Sequence, residues 1–133
     1  MRKGIILALT LVVMVLLVGC GVQNQLTGTK WQYEKNYVIY SGTTKEGTGI
    51  ETTTLEFKKD GTLIMSTKDV YTKKSGIIDT DETSETTKWY CDGDKLYIES
   101  SEYPMAEIYD VIILDDELIL KQGFGYTKYK KVN

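Results

Sequence analysis

The sequence predicts an all-β fold of about eight antiparallel strands, a small barrel or sandwich that follows a short apolar N-terminal segment. Three observations predict it. Helix signals are nearly absent after Cys20, where 16 threonines and 10 tyrosines favour pleated, half-buried surfaces. The only proline is Pro104. Turn signals recur at short intervals with alternating apolar and polar residues between them, which is typical of antiparallel sheet proteins.

The N-terminal segment has the three parts of an export signal. Arg2 and Lys3 form a positive n-region, residues 5–18 form an apolar h-region, and Gly19 is the small residue before the cut. Residues 5–18 rise only about 21 Å as a helix, which is shorter than the ~30 Å hydrocarbon core of a bilayer. An uncleaved transmembrane helix is the alternative, and the small, polar residues after Cys20 argue against it.

The run Leu17-Val18-Gly19-Cys20 resembles the lipobox of bacterial lipoproteins. The resemblance implies that a signal peptidase cuts between Gly19 and Cys20 and that the Cys20 thiol carries a diacylglycerol. Two acyl chains hold a protein stably on a membrane. The implied location is therefore the extracytoplasmic face of the cell membrane, with Cys20 as the lipid anchor. The division into domains is a signal peptide over residues 1–19, a lipidated cysteine with a tether over 20–28, and a barrel domain over 29–133.

Composition limits the classes of partner, the number of domains and the disulfides expected for the mature chain. Removal of the signal peptide leaves 14 basic side chains against 19 acidic ones, a net side-chain charge of −5. A mildly acidic surface repels nucleic acid, so we expect no nucleic-acid partner. One domain with a modest core is expected at this length. Lipidation of Cys20 leaves Cys91 as the only free thiol, so no intrachain disulfide stabilises the fold.

The first half of the barrel domain is predicted to contain strands separated by two polar loops. The first strand covers Thr29 to Tyr33, and its continuation through Tyr37 to Tyr40 is left open. Ser41 to Gly49, with three glycines and three threonines, is predicted as a loop. The next elements are a strand over 50–57, a hairpin turn over 58–61 at Asp60-Gly61, a strand over 62–72, and a polar, acidic, mobile loop over 73–84.

The second half is predicted to form two hairpins and a last strand. Residues 85–91 and 95–100 flank the turn Asp92-Gly93-Asp94, and residues 106–114 and 117–121 flank Asp115-Asp116. The triplet Gly123-Phe124-Gly125 then leads into a strand over 126–131. Turn residues of this kind between alternating stretches are the usual sign of antiparallel hairpins.

Strand parity predicts which side chains face inward, because residues two apart share a face. Trp89 and Cys91 share one face, opposite Leu96 and Ile98, so we expect Cys91 to be buried as a small apolar residue. Their neighbours Tyr90, Lys95, Tyr97 and Glu99 are expected to face solvent. The other inward residues predicted are Leu55, Phe57, Leu63, Met65, Tyr109, Val111, Ile113, Leu118 and Leu120.

Several of these core and turn residues together resemble small bacterial lipocalin-like domains. The residues that carry the resemblance are Gly28 to Trp31, Thr54 to Thr62, Trp89 with Asp92 to Leu96, Tyr109 with Val111, and Leu118 with Leu120. The resemblance spans nearly the whole mature chain and implies a meandering barrel closed around an interior. Domains of this kind are often lipoproteins, and most of them have no defined function.

The chain contains no histidine. Its absence removes Ser-His-Asp and Cys-His nucleophile systems and the usual zinc sites. No glycine-rich phosphate loop or dinucleotide fingerprint occurs. The carboxylate pairs Asp92/Asp94 and Asp115/Asp116 lie in predicted turns, where aspartate is favoured for its hydrogen bonds to the backbone. We therefore expect a protein that is not an enzyme, without catalytic residues or a cofactor.

An acidic segment, Asp79 to Glu85, carries oxygen side chains at Asp79, Asp81 and Thr83, a ligand type that suits calcium. It has Ser84 where an EF-hand requires glycine, and it lacks helical flanks. The favoured interpretation is a solvated acidic loop, so no metal site is expected.

Two functions are left open. The first is a lipid-anchored binding module that holds a small apolar ligand or an envelope component, since an eight-stranded barrel is either filled by side chains or holds one small ligand. Trp31, Phe57 and Trp89 compete for that space, which favours a filled core. The second function is an accessory or interaction protein with a filled core, which recognises an envelope protein through exposed tyrosines and the two loops. A pocket open at one end of the barrel distinguishes them.

Overall fold

A computed structural model describes residues 21–100 and 105–132. The predicted signal peptide over 1–19 and the predicted anchor residue Cys20 lie outside the described residues, as does Pro104. The elements are α1 (Gly21–Leu26), β1 (Thr29–Ser41), β2 (Thr44–Phe57), β3 (Thr62–Lys73), β4 (Ile78–Asp92), β5 (Lys95–Ile98), β6 (Glu107–Leu114), β7 (Glu117–Gln122) and β8 (Gly125–Val132). No helix within these ranges is long and apolar enough to cross a membrane.

The eight strands form a closed antiparallel meander in which each strand pairs with the next one along the chain. The closing contact is short, because β1 pairs with β8 only from Lys30 opposite Val132 to Gln32 opposite Lys130. Where β1 and β8 pair, the sheet has no free edge, and the closed barrel encloses a single core. The predicted all-β meander barrel of about eight strands is confirmed.

The predicted turns are found where the sequence places them. At the β2–β3 turn the Lys58 N–H donates to the Thr62 carbonyl at 2.8 Å, and Gly61 has a φ of 86°. Asp60 Oδ1 accepts a hydrogen bond of 3.0 Å from the Thr62 N–H. At the β6–β7 turn Asp115 has a φ of 52°, a left-handed conformation that aspartate tolerates well.

Both predicted loops are wrong. Residues 41–49 contain a tight turn at Gly42-Thr43 and then the start of β2, and residues 73–84 contain a short turn and the start of β4. The open question on β1 is also answered, since it runs unbroken through Ser41. Both segments become strands because cross-strand partners satisfy their backbone groups, from Val38 opposite Thr48 to Thr72 opposite Ile78.

The strands differ in length, and this gives the molecule its shape. β1 to β4 have 12 to 15 residues, whereas β5 to β8 have 4 to 8. The four long strands therefore project past one end of the barrel. We call residues 33–53 and 67–83, which form this projecting part, the sheet extension.

The inward faces predicted from strand parity are confirmed. Trp89 lies opposite Ile98 and Cys91 opposite Leu96, and Val111 lies opposite Leu120. The buried core consists of Leu26, Trp31, Leu55, Phe57, Leu63, Trp89, Leu96, Ile98, Val111, Leu118 and Leu120. Met65, Cys91, Tyr109 and Ile113 are partly buried and pack against it. Tyr90 and Lys95 are exposed, as expected for the opposite face.

The sequence analysis did not predict the helix α1, which lies in the segment interpreted there as a tether. Its last residue, Leu26, is 0% exposed and belongs to the barrel core. The Cys91 N–H donates to Gln23 Oε1 at 2.9 Å, which ties the helix to β4. Residues 22–26 are therefore packed across one end of the barrel.

Candidate functional site

The interior of the barrel is filled at the end covered by α1. Phe57 and Trp89 meet edge to face there, with ring centroids 4.9 Å apart and an interplanar angle of 78°. The Trp31 indole N–H donates to Thr29 Oγ1 at 2.7 Å, whereas the buried Trp89 indole N–H has no hydrogen-bond partner among the described residues. We call this the closed end. Aromatic rings and leucine side chains pack closely together and fill the interior at this end.

At the opposite end the interior is open and forms a cavity of about 370 Å³, which we call the cup. Its lining is apolar and aromatic, with a few neutral polar groups: Leu55, Met65, Ile98, Tyr109, Leu120, Gln122, Gly125, Tyr126, Thr127 and Tyr129. None of these described lining residues carries a charge. Strand parity accounts for the floor of the cup, because Leu55, Met65 and Leu120 were all predicted to face inward.

Tyrosine hydroxyls give the cup its polar character. The Tyr109 hydroxyl donates to Glu107 Oε2 at 2.6 Å. Burial, together with this bond to a carboxylate, raises the pKa of Tyr109 above its usual value. Burial also raises the pKa of Tyr129. Both phenols therefore keep their protons at neutral pH and present neutral hydroxyl groups.

On one side, the mouth of the cup is next to the point where the pairing of β1 and β8 ends. Tyr129 lines the cup, and its ring meets that of Tyr33 edge to face, with centroids 6.0 Å apart. Above this contact β1 and β8 are no longer paired among the described residues. The mouth is consequently bordered on this side by the start of the sheet extension.

The sheet extension continues the inner face of the barrel upward as a tall wall of the cup. Strand register aligns its inward side chains in rows across the four long strands. From the cup outward these rows are Tyr33, Thr53, Thr67 and Thr83, then Lys35, Glu51, Asp69 and Asp81, and then Tyr37, Gly49, Tyr71 and Asp79. The wall is therefore polar, with more carboxylates than ammonium groups.

Glycines in β2 make room for two of these tyrosines. A Cβ on Gly49 would lie 2.0 Å from Tyr37 Cζ, and one on Gly47 would lie 2.7 Å from the Tyr71 hydroxyl. The Tyr37 hydroxyl donates to Asp69, and this bond raises the pKa of Tyr37 to about 12. These glycines lie within a strand and allow tyrosine rings to pack closely against its backbone. The loop prediction for residues 41–49 was wrong because it took their glycines as a sign of a loop.

The predicted site residues fall into three groups. Gly19 and Cys20, the predicted cleavage and lipidation positions, lie outside the described residues. Cys91 faces the interior and is half-buried. Asp79, Asp81 and Thr83 lie on one face of β4, and within residues 21–100 and 105–132 no three carboxylate or thiol groups are arranged to hold a metal ion.

Sequence reasoning missed the upper part of the cup. Thr127, Tyr129 and Gln122 line it, yet none was predicted as an inward residue. The alternation of β8 could have revealed these inward residues, because Thr127 and Tyr129 share a face and lie opposite the inward residues Leu120 and Leu118. Their polar groups concealed that face from a search for apolar residues.

Comparisons with known proteins give no assignment. No family model matches the chain, and no curated protein sequence matches it.

Proposed function

We propose that this chain is a membrane-anchored extracytoplasmic lipoprotein whose barrel binds a small apolar ligand in the cup. The observation that carries the proposal is the division of the interior into a packed closed end and an uncharged open cavity. A volume of about 370 Å³ falls within the ~300–1,000 Å³ of pockets that bury a small ligand. A lining that is mostly apolar with a few neutral hydroxyls suits a ligand with an apolar body.

The anchoring part of the proposal comes from the sequence Leu17-Val18-Gly19-Cys20. Cys20 directly precedes α1, and α1 covers the closed end. A lipid on Cys20 would thus hold the closed end next to the membrane and leave the cup facing away from it. In this orientation the ligand comes from the envelope or the medium.

The proposed role is binding without catalysis. The chain has no histidine, and its thiol, Cys91, faces the closed end beside Gln23. The tyrosines of the cup have raised pKa values, so they are poor bases near neutral pH.

A pair of tryptophan substitutions tests the cup. Thr127→Trp places an indole in the cavity, whereas Lys128→Trp places the same group on the exposed outer face of β8. We expect native mass spectrometry to detect a co-purified small molecule with the wild type and Lys128→Trp, and to lose it with Thr127→Trp. NMR titration with 4-phenylbutanol, a neutral apolar probe, is expected to show the same order. Wild-type protein that carries no ligand and does not bind the probe would contradict the proposal.

An interaction protein is the second candidate, and exposed apolar side chains on the outer surface favour it. Tyr90 and Tyr97 stack in parallel outside the barrel, with centroids 4.6 Å apart. On the outer face of the sheet extension Val38 and Ile50 are each 43% exposed. Recovery of one stoichiometric envelope protein from a detergent extract, by the wild type and by Thr127→Trp alike, would support this function.

A further inference from the structure

We propose that the closed end of the barrel docks on the membrane through a lysine-lined cleft that binds the anionic headgroups of phospholipids. This inference rests on the proposed function, because it takes the lipid anchor at Cys20 as its starting point. It deepens that function by adding a second contact with the membrane, which orients the barrel on the bilayer. The partner is defined by its chemistry as a lipid surface with phosphate groups and a net negative charge.

The first support is a cleft of about 720 Å³ at the closed end. The start of β1, the β2–β3 turn and the end of β8 form its walls. We call it the basic cleft, and its charged lining residues are Lys30, Glu56, Lys58, Lys59, Asp60 and Lys131. It thus gathers four ammonium groups and two carboxylates in a chain that is acidic overall.

The second support is that both carboxylates of the basic cleft already have partners. Glu56 Oε2 lies 3.9 Å from Lys30 Nζ, and Asp60 Oδ1 accepts the 3.0 Å hydrogen bond from the Thr62 N–H in the β2–β3 turn. The three other lysines of the cleft form no salt bridge within the part of the chain that the structure describes. Their ammonium groups are therefore left for an anion from outside, and phosphate oxygens accept hydrogen bonds from such donors.

Contacts of the side chains hold two of these three lysines in place. Lys59 lies against Gly28, where an added Cβ would come within 3.3 Å of the lysine Cε. Lys131 Nζ lies 5.9 Å from the centroid of the buried Trp31 ring, which is a cation–π contact. Side chains that are ordered before binding lose less conformational entropy when the anion binds. The basic cleft is therefore partly preorganised for its ligand.

The third support is the position of the basic cleft next to the proposed anchor. Cys20 directly precedes α1, and Gly28, two residues after α1, lines the cleft. The helix has six residues and spans only about 9 Å at ~1.5 Å per residue. A lipid on Cys20 would therefore bring the cleft within reach of the headgroups, and attachment would give them a high effective concentration.

The charges of the closed end are divided between two sides, and this sets the direction in which the barrel leans. Around the barrel β8, β1 and the β2–β3 turn are neighbours, and they carry the basic cleft. The β4–β5 and β6–β7 turns lie on the other side of the same end and carry Asp92, Asp94, Asp115 and Asp116. An anionic surface attracts the first side and repels the second over roughly a Debye length, about 8 Å. The barrel is therefore expected to lean with the basic cleft toward the lipids.

The test uses the full-length chain, lipidated in a bacterial host and placed in nanodiscs of phosphatidylcholine alone or mixed with phosphatidylglycerol. Brief acetylation followed by mass spectrometry gives the reaction rate of each lysine. We expect Lys58, Lys59 and Lys131 to react at least about threefold more slowly with the anionic lipid, and high salt should remove the difference. Lys45, in the sheet extension, and Lys95, beside an aspartate turn, are internal controls whose rates should not change.

A pair of variants measures the contribution of the cleft itself. Lys58→Gln with Lys59→Gln removes two charges and keeps the apolar stems, whereas Lys45→Gln with Lys121→Gln removes two exposed charges elsewhere. Native mass spectrometry of protein released from the mixed nanodiscs identifies the retained lipids. We expect the wild type and the second variant to retain phosphatidylglycerol in preference to phosphatidylcholine. The first variant should lower that preference at least about fivefold, which is the effect of one lysine near an anionic surface.

Glycerol 3-phosphate distinguishes the membrane from a soluble source of phosphate. It is added to the chain in nanodiscs of phosphatidylcholine alone, and the acetylation rates are measured again. We expect it to protect the three lysines much less than phosphatidylglycerol does, because it is not concentrated at the closed end by the anchor. Equal protection would assign the cleft to a soluble anion and reject docking on the membrane.

The remaining outcomes overturn the inference in distinguishable ways. Equal slowing of Lys95 rejects the proposed orientation. Unchanged rates at every lysine, in a chain that is anchored and binds 4-phenylbutanol, reject docking through the cleft and leave the proposed function intact. A chain that enters nanodiscs of neither composition has no lipid anchor, and the proposed function then fails together with the inference.

Discussion

Cys20 and Cys91 are the two cysteines of this chain, and their surroundings give them opposite expected chemistry. Cys20 directly follows the predicted export signal and is the proposed site of lipidation. Cys91 lies on β4, half-buried against the core and α1, where burial raises the pKa of its thiol to about 11. Because the thiolate is the reactive species, Cys91 is expected to be slow.

Replacement of Cys20 by serine tests the anchor. Cys20→Ser should abolish labelling by a fatty-acid probe and block the cut after Gly19, because processing depends on prior modification of the thiol. Metabolic labelling of cells that produce each form measures both effects, through the incorporated probe and the size of the product. Cys91→Ser is the matched control and should be labelled like the wild type. Equal labelling of Cys20→Ser and wild type would show that the chain is not a lipoprotein.

The rate at which Cys91 reacts tests its burial. In a chain that begins at Gly21, Cys91 is the only thiol. Its pKa rises from 9.0 to about 11 on folding, so at pH 8 the folded protein holds about 100-fold less thiolate than the unfolded one. Reaction with a thiol reagent at pH 8 should be slow in buffer, fast in urea, and faster in the folded protein as the pH approaches 11. A rapid stoichiometric reaction of the folded protein at pH 8 would contradict the inward orientation.

The β6–β7 hairpin illustrates how an element is organised by alternation. Leu118 is 0% exposed and Leu120 is 5% exposed, and both face the interior. Ile119, between them, is on the outer face opposite Ile112, which is 37% exposed. One strand thus has a buried and a largely solvated face, as the sequence analysis predicted.

Single substitutions in β7 measure this difference. Leu118→Ala and Leu120→Ala should each lower the free energy of unfolding by ~2–5 kcal/mol, through lost burial and a new cavity. Ile119→Ala should lower it by about 1 kcal/mol or less, because its side chain is only partly covered. Urea denaturation of the three variants provides the values. An Ile119→Ala effect as large as those of its neighbours would indicate that a partner covers the outer face of this hairpin.

In the whole molecule, α1 and the four long strands determine where the interior is closed and where it is open. α1 fills the closed end, with Leu26 in the core and Gln23 bonded to the backbone of Cys91. The sheet extension rises past the other end, next to the cup. The two ends of the barrel therefore differ: the closed end is the proposed membrane side, and the open end is the proposed binding side.

The role of α1 as part of the barrel has a measurable consequence. Leu26→Ala should destabilise the fold by ~2–5 kcal/mol, because a fully buried leucine is removed from the closed end. Asn24→Ala, an exposed change in the same helix, should alter stability by about 0.5 kcal/mol or less. Thermal or urea unfolding of both variants compares them. If the two are equally stable, α1 is a loosely attached tether and the closed end does not depend on it.

The cup shows which parts of the candidate site could be predicted from the sequence. Its floor follows from alternation, since Leu55, Met65 and Leu120 were predicted to face inward. The upper lining of the cup could not be predicted in this way, because Thr127 and Tyr129 are amphipathic or polar and do not form an apolar alternating pattern. The short pairing of β1 with β8 was equally hidden, since the sequence does not indicate how far β8 follows β1.

The sequence by itself determined the class of fold, the turns at Asp60-Gly61 and Asp115-Asp116, and the inward face of each hairpin. These are local properties, decided by φ preferences and by a side-chain period of two. The tertiary structure alone decided that the Gly- and Thr-rich residues 41–49 and the acidic residues 73–84 are strands. Their backbone groups are satisfied by partners distant in sequence, and only closure of the barrel left a packed end at α1 and an open cup beneath the sheet extension.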